Sequence, residues 1–119
     1  MNEKILLVDD DKELSGEMSE ILEAEGYSVQ AAYDGVQAES FIRKFRYNIV
    51  VIDFKLPGIT GVELFKKVRK LSRASRFFFM SGRPFIEKLI KKEGLSKMVS
   101  GCVKKPFDVE EFLGKIRNS

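Results

Sequence analysis

Asp9-Asp10-Asp11, Asp53, Ser81 and Lys105 are the residues whose types and placement can do chemistry, because each follows a short apolar run at the start of a loop. Gathered in one place, the carboxylates repel. At ~4 Å two like charges cost about 4 kcal/mol at an effective dielectric near 20. Either one carboxyl keeps its proton or a cation neutralises the group. The ligands on offer are oxygens, which selects a hard cation. Mg²⁺ takes one or two carboxylates and fills the rest of its shell with water and phosphate. Mg²⁺ beside a carboxylate points to phosphoryl transfer, since the metal stabilises charge on the moving group and a carboxylate is a competent nucleophile. Ser81 and Lys105 then hold the remaining phosphoryl oxygens. The chain has no histidine. That excludes Ser-His-Asp and Cys-His catalysis, His-ligated zinc, and phosphotransfer through a histidine of its own.

The elements that must position these residues alternate along the chain. Apolar runs at 5–8, 29–33, 49–52, 77–80 and 98–103 read as strands, three of them almost continuously apolar, as in strands buried on both faces. Helical periodicity fills the intervals. Leu14, Met18, Ile21 and Leu22 share one face, with Gly26 as the C-terminal cap. Val36, Phe41 and Phe45 mark a second helix after Asp34. Leu64, Phe65, Val68 and Leu71 mark a third, and Ile86, Leu89 and Ile90 a fourth after Pro84. Val109, Phe112, Leu113 and Ile116 form the last face. Asp108 is its N-cap, with Glu110 and Glu111 near the positive end of the dipole and Lys115 and Arg117 near the negative end. Strand starts lie about 20 to 28 residues apart, room for one crossover helix each. The expected fold is therefore α/β, a (βα)5 doubly wound sandwich around a five-stranded parallel sheet. Ligands of such sheets bind outside the carboxyl ends of the strands, where the candidate residues stand.

Length and composition agree. The 119 residues suit one domain spanning 1–119, and 44% apolar with 33% charged residues describes a globular chain. No apolar run approaches the ~20 residues that span a bilayer, and the N-terminus leads straight into a strand with no signal peptide in view. Cys102 is the only cysteine, so no internal disulfide forms and a cytoplasmic location is expected. The net charge of +3 is a small excess. It argues against nucleic-acid binding by this chain alone, since binders concentrate charge on one face.

Each residue also has a plainer reading. Asp9 to Asp11 can cap a helix, and Asp11 is expected to do only this. Asp53 can be a turn residue, Ser81 a loop hydroxyl, and Lys105 a solvated charge. Pro57-Gly58 is first a turn signal. The plain readings weaken together, because separate strand ends would have to deliver site-like residues to one edge by accident.

Taken in order, Ile5-Leu6-Leu7-Val8-Asp9-Asp10, Val51-Ile52-Asp53, Leu56-Pro57-Gly58 with Gly61, Met80-Ser81-Gly82 and Lys105-Pro106-Phe107 resemble the receiver domains of bacterial two-component response regulators. The resemblance covers nearly the whole chain. It implies a flavodoxin-like fold with strand order 2-1-3-4-5. It implies Asp53 as phosphoacceptor, Asp10 as direct Mg²⁺ ligand, Asp9 acting partly through water, and the Lys55 backbone carbonyl as a further ligand. Lys105 and Ser81 then contact the phosphoryl group, with Gly82 beside Ser81 and a cis peptide before Pro106. The donor is a phosphohistidine on a sensor histidine kinase or phosphotransfer protein. The domain is regulatory, not an enzyme: it assists only its own phosphorylation and dephosphorylation and shifts between inactive and active states. A homodimer or output domain would use the face of the fourth helix, fifth strand and fifth helix. That region carries Lys88, Lys91, Lys92, Lys97 and Lys104, a partner surface or simply a solvated one.

Two other readings stay open at this level. Asp9-x-Asp11 is similar to the nucleophile motif of haloacid-dehalogenase-type phosphatases, but Glu13 stands where Thr or Val is expected. A phosphorylation-independent pseudo-receiver, an interaction module only, is the third. Two departures from the family pattern bear on readout. Cys102 stands where receivers carry Tyr or Phe, so the usual aromatic switch is in doubt. A small thiol there relieves crowding from Phe77 to Phe79. Lys55 and Arg83 place two cations at the entrance, which should attract anionic donors and alter self-dephosphorylation.

Overall fold

The computed structural model describes residues 3–82 and 86–119. Five strands, β1 (Lys4–Val8), β2 (Ser28–Ala32), β3 (Ile49–Asp53), β6 (Arg76–Ser81) and β7 (Gly101–Lys104), form one sheet in the order β2-β1-β3-β6-β7. Every pairing in it is parallel. Counted among themselves these strands run 2-1-3-4-5, as the resemblance implied. A two-stranded antiparallel hairpin, β4 (Lys55–Leu56) and β5 (Ile59–Thr60), follows β3. Helices α1 (Lys12–Ala24), α2 (Gly35–Lys44), α3 (Gly61–Val68), α4 (Ile86–Lys92) and α5 (Val109–Arg117) fill the intervals, with a 3₁₀ turn at Arg69–Leu71.

Side-chain alternation along the strands divides the core into two layers. Leu6, Val8, Val50, Ile52, Phe77 and Phe79 point to the side covered by α2, α3 and α4. Ile5, Leu7, Ile49, Val51, Phe78 and Met80 point to the side covered by α1 and α5. With both faces covered, β3 is buried along its whole length, which is why its sequence reads as an unbroken apolar run. Phe65 of α3 sets its ring edge-on to Phe77 and Phe79, with centroids 5.0 and 5.6 Å away.

The helix ends follow from their capping residues. Asp11, Asp34 and Asp108 accept hydrogen bonds from the backbone N–H of Leu14, Gln37 and Glu111. Gly26 closes α1 with φ +97°, a conformation that disfavours any side chain.

Several expectations need correction. Val36 and Phe45 do not join the core face of α2 and are 82% and 54% exposed. Gly35, Ala38 and Ile42 form that face instead, because small residues let α2 lie close to the sheet and turn Val36 outward. Leu71 and Val109 are also exposed, since each sits at a helix end beyond the packed turns. The last strand begins at Gly101, not at residue 98. Met98 lies in the preceding turn, where its backbone N–H donates to Leu95 O. Pro84 lies outside the described residues.

Candidate functional site

Parallel strands of matched register end together, and the chain leaves the sheet at one edge. Three hydrogen bonds hold the departing backbone there. Asp9 N donates to Ala32 O at 3.0 Å, Phe54 N to Met80 O at 2.8 Å, and Lys105 N to Ser81 O at 2.9 Å. Asp9 and Asp10 thus follow β1, Asp53 ends β3, Ser81 ends β6, and Lys105 follows β7. A cleft of about 570 Å³ opens over this edge, lined by Asp10, Asp53, Lys55, Ser81, Gly82 and Lys105, with Phe54, Leu56 and Pro57 completing one wall.

Asp9, Asp10 and Asp53 each place a carboxylate oxygen within 4.8 Å of the others. Lys105 Nζ lies between two of them, 2.8 Å from Asp9 Oδ2 and 3.0 Å from Asp53 Oδ2. Asp9 Oδ1 accepts from the Asp11 backbone N–H at 3.0 Å. Burial first, and then the Asp9 charge, push the Asp53 carboxyl up to about 6, against the opposing effect of Lys105 and of the Lys55 backbone N–H. Burial disfavours the Lys105 ammonium, yet its contacts with Asp9 and Asp53 outweigh burial and raise its pKa. One lysine therefore does not neutralise the cluster. Three hard oxygens and an unbalanced negative charge fit a small divalent cation, and the donor set contains no soft ligand.

Accessibility separates the two aspartates most open to assignment. Asp53, 6% exposed, lines the cleft, whereas Asp9, 1% exposed, does not line it and is held 2.8 Å from Lys105 Nζ.

The site has a tight floor at Gly61, a residue that belongs to the motif set but was given no role by it. A Cβ on Gly61 would stand 2.4 Å from Asp53 O and 2.9 Å from Phe54 Cα. Only glycine lets α3 begin this close to the loop after Asp53. Gly61 N donates to Phe54 O at 2.7 Å, and Thr60 and Glu63 form a reciprocal capping box that fixes the helix start. The Thr60-x-x-Glu63 spacing was the readable signal. Pro57-Gly58 is the turn of the β4–β5 hairpin, with Gly58 at φ +74°.

The remaining candidates divide. Lys55 and Gly82 reach the cleft. The Lys105–Pro106 peptide is cis, and Pro106 lines a separate small cavity beside α5. Cys102 stays out of the cleft. It pairs in register with Phe79 and packs, half-buried, on the α2–α3–α4 layer. Burial first, and then the Glu87 charge, raise its thiol pKa. Arg83 lies outside the described residues.

The sequence profile of the response regulator receiver domain matches residues 5–117. The chain belongs to this receiver family. The receiver is 36% identical to regulatory protein VanRc of Enterococcus gallinarum, covering 98% of this chain and 49% of that protein. It is 30% identical to sporulation initiation phosphotransferase F of Bacillus subtilis (strain 168), covering 98% of this chain and 93% of the relative. The receiver thus spans about half the length of one relative and nearly all of the other. Among solved structures it superposes on a CheY-like receiver domain protein from Methanospirillum hungatei JF-1 with TM-score 0.89 at 28% identity, covering 99% of this chain and 93% of that one. It superposes on chemotaxis response regulator CheY4 of Vibrio cholerae with TM-score 0.88 at 27% identity, covering 99% and 98%. The fold is the flavodoxin-like α/β fold of these proteins, and the role is regulatory, in two-component signal transduction. Among the described residues, no helix is long and apolar enough to cross a membrane.

Proposed function

We propose that Asp53 is the phosphoacceptor of this receiver, in a Mg²⁺-dependent reaction with a phosphohistidine on a sensor histidine kinase or phosphotransfer protein. The observation that carries this is that Asp53 lines the cleft while Asp9, 1% exposed and paired with Lys105, does not. Asp10 and Asp53 would supply carboxylate oxygens to the metal, Asp9 would support it partly through water, and the Lys55 backbone carbonyl would complete the protein ligands. Bound there, Mg²⁺ supplies charge stabilisation on the transferring group.

The chain's own residues do the rest. One carboxylate oxygen of Asp53 forms the new P–O bond as the P–N bond of the donor breaks, and the imidazole nitrogen leaves with the electron pair. Lys105, already 3.0 Å from Asp53 Oδ2, follows the charge onto the phosphoryl oxygens. Ser81, buried at the end of β6, donates its hydroxyl to another, with Gly82 leaving room beside it. The added charge, about −1.5 to −2 if the acyl phosphate resembles other phosphorylated side chains, shifts the domain between inactive and active states. A homodimer or output domain reads that shift on the α4–β7–α5 face. The reaction belongs in a reducing, cytoplasmic setting, and the domain promotes only its own phosphorylation and dephosphorylation.

The test is labelling by acetyl phosphate, followed by intact mass. Wild type should gain one phosphoryl group with Mg²⁺ and none with EDTA, and Asp53→Asn should gain none in either. Labelling of Asp53→Asn at the wild-type rate would overturn the assignment.

A further inference from the structure

The cleft at the carboxyl ends of the strands accounts for the acidic residues, but the opposite edge of the sheet is unexplained. Two adjoining clefts lie there. One, of about 430 Å³, is lined by Arg69, Lys70, Arg73 and Lys97. The other, of about 340 Å³, is lined by Arg43, Lys44, Arg46 and again Arg73. Neither has a carboxylate in its lining. Among the described residues, Arg43 alone of these cations pairs with an acid, Glu39 at 2.9 Å. The six others carry twice the chain's net charge of +3. The small net excess therefore conceals a concentrated basic pole.

The pole is built, not a chance of loose side chains. Its two connecting segments are tied together, with Ser75 Oγ donating to Tyr47 O at 2.5 Å and Arg76 N to Asn48 O at 2.9 Å. Arg69 Nη1 is held 2.7 Å from Met98 Sδ. Phe45, Leu71 and Met98, 54%, 43% and 45% exposed, stand among the cations. These are three of the five exposed large hydrophobic residues among the described residues, so apolar exposure and uncompensated charge coincide.

From this we infer that the basic pole binds single-stranded nucleic acid, its cations tracking the phosphates and Phe45 stacking on a base. Charge complementarity selects a polyanion. The lining selects among polyanions: cations surround both clefts and Phe45 offers an exposed ring, a pairing that suits phosphates alternating with bases. A concave track suits a flexible strand better than a flat bilayer. An exposed aromatic between Lys44 and Arg46 is a sequence-tolerant stacking platform. The site lies at the far end of β3 from Asp53, roughly 15 Å away along five residues, so it is separable from phosphorylation.

The experiment is fluorescence anisotropy of the full chain with a labelled mixed-sequence single strand of about 12 nucleotides, a span within known site sizes. Engagement of the six cations predicts a slope of log K against log salt of about −4. Arg73→Glu with Lys97→Glu should weaken binding at least about tenfold, and Phe45→Ala at least about fivefold. Both variants should still accept a phosphoryl group from acetyl phosphate at the wild-type rate, which shows that they fold. The proposal is overturned if folded charge-reversal or Phe45 variants bind like wild type, or if no binding is seen at low salt. It is equally overturned if a Glu-rich peptide of matched charge, or vesicles of phosphatidylglycerol and phosphatidylcholine, bind as tightly as the oligonucleotide.

Discussion

Asp53 is held between two opposed demands. A nucleophile must be ionised, yet burial and Asp9 hold its carboxyl near 6. The folded chain therefore keeps a proton between about pH 4 and pH 6 that the unfolded chain has released. Stability of the metal-free protein falls as pH rises through that window and is level above it. Asp53→Asn removes the penalty. In EDTA at pH 7.5 it should be more stable than wild type by about 1–3 kcal/mol, measured by urea unfolding, and the difference should vanish near pH 4. Mg²⁺ should stabilise wild type but not Asp53→Asn, and its affinity should fall as pH drops below 6. Cys102 poses a second question at this scale. It faces Phe79 across the strands, and a tyrosine there must displace α4 or its neighbours. Cys102→Tyr should cost about 1–3 kcal/mol in the same assay. An unchanged midpoint would refute the crowding account.

Among the elements, α3 has little freedom at its start, because its first residue lies close to the backbone that follows Asp53. Gly61→Ala sets a Cβ against backbone atoms that cannot yield cheaply. It should cost about 2–3 kcal/mol and slow labelling by acetyl phosphate, since Asp53 moves with the loop. Gly16, exposed in the middle of α1, has nothing within 4 Å of its Cβ position. Gly16→Ala should instead stabilise by about 0.5–1 kcal/mol and leave labelling unchanged. Sequence periodicity located every element that packs with two-sided or one-sided burial. It misplaced Val36 and Phe45, because apolar type alone does not say which face of α2 approaches the sheet. The β4–β5 hairpin escaped notice, since two-residue strands carry no period and only the Pro57-Gly58 turn was visible.

For the molecule as a whole, the parallel sheet converts sequence order into polarity. Residues after strands meet at one edge and residues before strands meet at the other. The acidic site was legible because each member directly follows an apolar run, so a fold class sufficed to gather Asp9, Asp10, Asp53, Ser81 and Lys105. What sequence did not convey was depth. Asp53 lines the cleft and Asp9 does not, although both are buried, a distinction set by loop geometry. The basic pole was illegible for a different reason. Arg46, Arg73 and Lys97 come from separate segments, and a net charge of +3 averages them against the acids of the rest of the chain. The two edges make separable demands, and the first is tested directly by locating the phosphoryl group. Wild type is labelled with acetyl phosphate and Mg²⁺, the acyl phosphate is trapped by borohydride reduction, and the modified residue is mapped by tandem mass spectrometry. The modification should fall on Asp53 alone. Modification of Asp9 or Asp10, or none with Mg²⁺ bound, would contradict the account.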